Sequence, residues 1–122
     1  MPGFNDVAWF EIGSDDPAAA ERFYGDVFGW TVAQDDTAST DTAYRVINTG
    51  GSRGGLFTGT ENYAIFSVLV EDVDAACRRV EAAGGKVQRP PAVNPVGVTF
   101  AHVLDPAGNH FSVFTPPQVS SS

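Results

Sequence analysis

Few residues in this chain carry side chains that could do chemistry at neutral pH. Its imidazoles are His102 and His110, and its one thiol is Cys77. A histidine accepts or releases a proton near neutrality, so both imidazoles are candidate acids or bases. His110 sits next to a turn, where exposure or a hydrogen bond within a hairpin is the simpler expectation. Cys77 falls in a helical pattern with Val73 and Ala76, and only Arg78 is basic beside it. A small buried thiol is expected there rather than a nucleophile. The glycines of TGGSRGGLF, residues 49–57, suggest a phosphate cradle. No helix follows them to offer its N-terminus, so they read as a tight hairpin with a close-packed strand, with Arg53 free to meet an anion at the rim. Asp35, Asp36 and Asp41 lie in a polar run that reads as a solvated loop, because it lacks the glycine and distal glutamate of a calcium loop.

The elements that must position these groups are revealed by self-similarity. At an offset of 56 residues, WFEIGSDDPAAAERFYGDVFGW from Trp9 lies over IFSVLVEDVDAACRRVEAAGGK from Ile65, with six identities in 22 positions. YRVINTGGSRGGLFT from Tyr44 lies over FAHVLDPAGNHFSVF from Phe100 at the same offset. Each half opens with an apolar, β-branched or aromatic strand, residues 7–12 and 64–70. Asp16 and Asp72 follow as natural N-caps, and Pro17 suits the first helical position. Ala20, Phe23, Tyr24 and Val27 form one helical stripe, and Val73, Ala76, Val80 and Ala83 the other. Gly29 ends the first helix and Gly84-Gly85 the second. Strands are expected at Trp30–Ala33 and Lys86–Gln88, then hairpins of Tyr44–Asn48 with Gly55–Thr58 and of Val98–Leu104 with His110–Phe114. Residues 34–42 and the proline-bearing 89–97 read as loops. The unit is β-α-β-β-β, used twice within one α+β domain: module one at about 4–60, module two at about 61–115, and a frayed tail at 116–122.

Composition narrows the function classes. The chain has 122 residues, 15 acidic against 7 basic side chains and a net charge of −8. That balance argues against a nucleic-acid groove or an anionic membrane as partner, since both want a basic patch. No apolar run approaches the roughly 18–20 residues of a membrane span. The opening MPGFNDVAWFEIGSDD lacks the basic region of a signal peptide, so a cytoplasmic location is expected. The lone cysteine excludes an internal disulfide and a cysteine-cluster zinc site.

DDPAAAERFYGDVFGW, VEDVDAACRRVEAAGGKV and LDPAGNHFSVF together resemble the vicinal oxygen chelate superfamily, over residues 4–115. That superfamily includes glyoxalase I, bleomycin- and fosfomycin-resistance proteins, extradiol dioxygenases and methylmalonyl-CoA epimerase. The resemblance implies two βαβββ modules forming a cupped mixed sheet with helices outside, and a homodimer. In metal-dependent members the ligands come from the first and last strands of each half. Those positions carry over to Trp9, Leu56, Ile65 and Ser112. Indole and alkyl groups cannot hold a divalent ion and a neutral hydroxyl is a poor ligand, so no metal and no cofactor are expected.

Strand alternation then assigns a face. With the resemblance as anchor, the cup is lined by Trp9, Glu11, Tyr44, Leu56, Ile65, Ser67, Phe100, His102 and Ser112. Glu11 and His102 are the titratable pair that this mapping brings together. They read either as a proton-transfer dyad or as a polar pair that holds two strands or lies solvated at the rim. The leading expectation is a metal-free protein that binds an aromatic or amphipathic small molecule, with Trp9, Tyr44 and Phe100 as stacking surfaces. The acidic net charge favours a cationic ligand, with Glu11 as counter-charge. The alternatives are a metal-independent isomerase or lyase using His102 and Glu11, and a cup filled by its own side chains.

Overall fold

The computed structural model of the chain describes residues 3–34, 44–94 and 97–117. Ten elements follow in order: β1 (Val7–Ser14), α1 (Pro17–Phe28), β2 (Thr31–Gln34), β3 (Tyr44–Asn48), β4 (Arg53–Thr58), β5 (Tyr63–Leu69), α2 (Val73–Ala82), β6 (Lys86–Val93), β7 (Thr99–Leu104) and β8 (His110–Thr115). This is the α+β architecture of two β-α-β-β-β modules. The Asp35, Asp36 and Asp41 run and the end of the tail lie outside the described residues.

Both helices start where their caps dictate. The Asp16 carboxylate accepts from the Ala19 N–H at 3.2 Å, and the Asp72 carboxylate accepts from the Ala75 N–H at 3.1 Å. Gly29 ends α1 at φ 76, a left-handed conformation that costs glycine nothing, while its N–H reaches the Gly25 carbonyl.

The chain forms two compact units. One comprises Trp9–Ile65, and the other joins the N-terminal residues up to Ala8 to the chain from Phe66 onward. In the first unit β1 runs parallel to β4, β4 pairs antiparallel with β3, and β3 pairs antiparallel with β2. The second repeats the pattern, with β5 parallel to β8, β8 antiparallel to β7, and β7 antiparallel to β6. At its N-terminal end the Asn5 N–H donates to the Leu69 carbonyl and the Leu69 N–H to that of Asp6.

Each helix covers one face of its own strands. Under α2, Val70, Val73, Ala76, Cys77, Ala101, Val103 and Val113 are buried together. Burial pushes the Cys77 thiol pKa up, aided by Asp74 and Glu81, and so keeps it an unreactive thiol. Under α1 the buried cluster is Ile12, Ile47 and Leu56, with Phe10, Ala20, Tyr24, Trp30 and Val32 against it. The α1 stripe is only half used. Phe23 and Val27 are 56% and 53% exposed, and Phe28 is 60% exposed.

Two expectations are corrected. The segment from Arg89 is not all loop, because β6 continues through Pro90 and Pro91 to Val93. It is an edge strand paired on one side only, to β7, and its register with β7 shifts between Arg89 and Ala92, across the two prolines. Leu56 faces the helix, not the opposite side of the sheet. Its register partners are Ile12 on β1 and Arg45 on β3, and Arg45 reaches Glu21 of α1 at 2.9 Å. The cause is loop length. Asn48 pairs with Arg53 across four residues, whereas Leu104 pairs with His110 across five. Thus β3 and β7 keep the 56-residue offset, while β4 and β8 are related by 57. A one-residue slip turns every side chain of a strand over, so the mate of Ser112 is Gly55.

Candidate functional site

The faces turned away from the helices carry the polar chemistry of both units. In the first unit that face of β1 presents Trp9, Glu11 and Gly13. The Tyr63 hydroxyl donates to the Glu11 carboxylate at 2.7 Å. A side-chain carbon on Gly13 would stand 2.3 Å from the Tyr63 ring, so glycine is what lets the phenol cross β1 and reach Glu11. Trp9 is half-buried, and Ile65 is buried on β5. Of Tyr44 the structure describes the backbone, paired with Phe57.

In the second unit the register draws one row across four strands: Arg89 opposite His102, His102 opposite Ser112, and Ser112 opposite Ser67. His102, Ser112 and Ser67 are all buried. The hydroxyls of Ser67 and Ser112 share a short hydrogen bond. His102 Nδ1 and His110 Nε2 lie 2.7 Å apart, so one ring donates and the other accepts. Phe100 stands edge-on to His102, with ring centres 6.1 Å apart and planes at 78°. Burial, then the neighbouring His110 and Arg89, lower the His102 pKa from 6.5 to about 4. Its ring is therefore neutral at physiological pH.

Glu11 lies in the first unit, where Tyr63 is a partner, and His102 in the second, where His110 is one. Sequence reading missed Tyr63, which begins β5 one residue before the expected strand. Glycine inside the β1 pattern was its available signal, since such a glycine marks close approach. Reading missed Arg89 because the prolines after it suggested a loop. It placed His110 at the turn without its bond to His102.

The donor set does not fit a divalent metal. Trp9, Ile65 and Leu56 offer no lone pair, and Gly55, which takes the place expected of Leu56, has no side chain. The Ser112 hydroxyl is engaged with Ser67. Among the described residues no group of three or more His, Cys, Asp or Glu side chains is arranged to hold a metal ion. Among them, too, no helix is long and apolar enough to cross a membrane.

Comparison with known proteins agrees with this architecture. A protein of Mycobacterium bovis named "Putative glyoxylase CFP32" is 35% identical over 115 residues, covering 90% of this chain and 44% of that protein. The anthracycline biosynthesis protein DnrV of Streptomyces peucetius is 32% identical over 130 residues, covering 88% of this chain and 46% of that protein. The chain thus spans less than half the length of these relatives. Among solved structures, methylmalonyl-CoA epimerase from Mycobacterium tuberculosis matches with a TM-score of 0.64 at 16% identity, over 97% of this chain and 94% of the epimerase. The Mn(II)-bound glyoxalase from Novosphingobium aromaticivorans matches with a TM-score of 0.61 at 24% identity, over 98% of this chain and 42% of that one. These two likenesses speak for the fold alone. The family model of the Glyoxalase/Bleomycin resistance protein/Dioxygenase superfamily matches residues 6–113, and the chain belongs to that superfamily.

Proposed function

We propose that this chain is a small-molecule-binding protein of the glyoxalase/bleomycin-resistance type. It takes an aromatic or amphipathic ligand on the helix-free side of its strands and uses no metal to do so. One observation carries the reading: the polar groups there pair with one another, as Ser67–Ser112, His102–His110 and Glu11–Tyr63, instead of converging as ligands of an ion. Pairing satisfies each buried polar group without an ion and leaves aromatic surface beside it, the mixture typical of small-molecule sites. Exposed Phe23, Val27 and Phe28 on α1 support a homodimer. A cytoplasmic protein of a bacterium fits relatives from Mycobacterium and Streptomyces.

Native mass spectrometry of the purified protein, followed by calorimetric titration with Mn²⁺ and Zn²⁺, tests this. The expected result is a dimer that carries an organic adduct or none and binds neither ion stoichiometrically. One tightly held divalent ion per chain would overturn the metal-free reading.

The pairing of His102 with His110 favours a second reading, a metal-independent isomerase or lyase. A neutral His102 can take a proton from substrate, with His110 placed to share it. Turnover that disappears in His102→Gln, with the melting curve unchanged, would select it over simple binding.

A further inference from the structure

The charge of the second unit's strands runs against that of the whole chain. Although the protein carries a net charge of −8, no acidic residue occurs in β5, β6, β7 or β8. Their titratable side chains are Lys86, Arg89, His102 and His110, together with the Tyr63 phenol. The acids of this unit lie elsewhere. Glu71, Asp72, Asp74 and Glu81 belong to α2 and its start, Asp6 to the N-terminal segment, and Asp105 to the β7–β8 turn, where Asn109 and Ala107 occupy it.

Position on the face is equally specific. Val87 packs in the core under α2, and simple alternation from it would pair Gln88 with His102. An irregularity between Val87 and Arg89 resets the register, so that Arg89 comes opposite His102. Among the described residues Arg89 has no carboxylate partner; its neighbours in the row are an imidazole and two hydroxyls. The Ser67–Ser112 bond consumes one of two hydroxyl protons, which leaves the other to donate. One step along the same face, Phe100 pairs with Phe114, and Phe114 with Leu69. A row of polar groups thus borders a row of apolar and aromatic groups, with Arg89, whose fork suits a carboxylate, at its edge.

We propose that this face binds the carboxylate of an aromatic acid, with Arg89, His102 and the Ser67–Ser112 pair at the anion and Phe100 and Phe114 against the ring. The inference deepens the small-molecule reading above and rests on it. It replaces the cationic ligand expected from net charge, because a ligand meets the local field of its site and not the sum over the chain.

Three probes of one shape test it by calorimetry at low ionic strength: 2-naphthoate, 2-naphthamide and 2-naphthylmethylammonium. The unsubstituted protein should bind the carboxylate at least about tenfold more tightly than the amide, as a charge-assisted pair implies, and the ammonium most weakly. Arg89→Gln should remove that preference by weakening carboxylate binding, with Arg89→Lys between the two. Arg89 is exposed, so an unchanged melting curve should accompany both variants. If the amide or the ammonium binds as tightly as the carboxylate, or if Arg89→Gln keeps the preference, the anion assignment fails while the binding function stands. If none of the three binds, the assignment and the reading beneath it fail together.

Discussion

His102 and His110 meet Nδ1 to Nε2 at 2.7 Å, on adjacent strands whose backbone register puts the two rings diagonally opposite. His102 is only 6% exposed, so protonating it places a charge in a buried site beside a second imidazole and the Arg89 guanidinium. His102 is therefore held in its neutral form.

An acid-sensitive stability follows. The His102 pKa is depressed from 6.5 to about 4, so between those values the unfolded chain binds a proton that the folded chain does not. This contribution is fully present above about pH 6.5, falls as pH drops, and levels off below about pH 4. The difference across that window is about 3 kcal/mol. Urea unfolding from pH 7 to pH 4 should show a flatter decline in His102→Gln than in the unsubstituted protein. Parallel slopes would refute the assignment.

The serine pair should show strong coupling. Ser112→Ala alone leaves the buried Ser67 hydroxyl without its partner and should cost about 1–3 kcal/mol. Removing both hydroxyls removes both demands, so Ser67→Ala with Ser112→Ala should cost less than the sum of the singles. Additive losses in a double-mutant cycle would contradict the bond.

Gly13→Ala should push the Tyr63 ring off β1 and break its bond to Glu11. The expected loss is about 1–3 kcal/mol. Tyr63→Phe, which deletes only the hydroxyl, should lose about 1 kcal/mol. Denaturant midpoints for the two variants give the comparison, and an alanine at 13 that costs nothing would show that the ring does not cross there.

Asp72→Ala should cost about 0.5–2 kcal/mol through loss of the cap on the Ala75 N–H. Thermal unfolding measures this. Asp72→Asn, which keeps an acceptor, should restore most of it.

Much of this architecture was legible in the chain because local chemistry dictated it. Asp16 and Asp72 cap both helices since short acceptors suit those positions whatever surrounds them. The repeat showed two β-α-β-β-β modules because both halves must bury an apolar helix stripe on strands of alternating pattern. The weakness of the donors at Trp9, Ile65 and Ser112 was visible from residue types alone, as was the burial of Cys77.

What only the tertiary structure decided turns on register and on partners distant in sequence. One residue fewer in the β3–β4 loop sends Leu56 to the helix side, and residue types alone do not reveal that inversion. An irregularity in β6 delivers Arg89 to His102 just before the prolines that read as a loop. Glu11 meets Tyr63 across 52 residues of chain, a pairing set by how strands come together and not by any local preference. Sequence determines which elements form, because caps, turns and periodicity act over a few residues. Which side chains share a face depends on pairing registers, and a single residue in a loop is enough to change them.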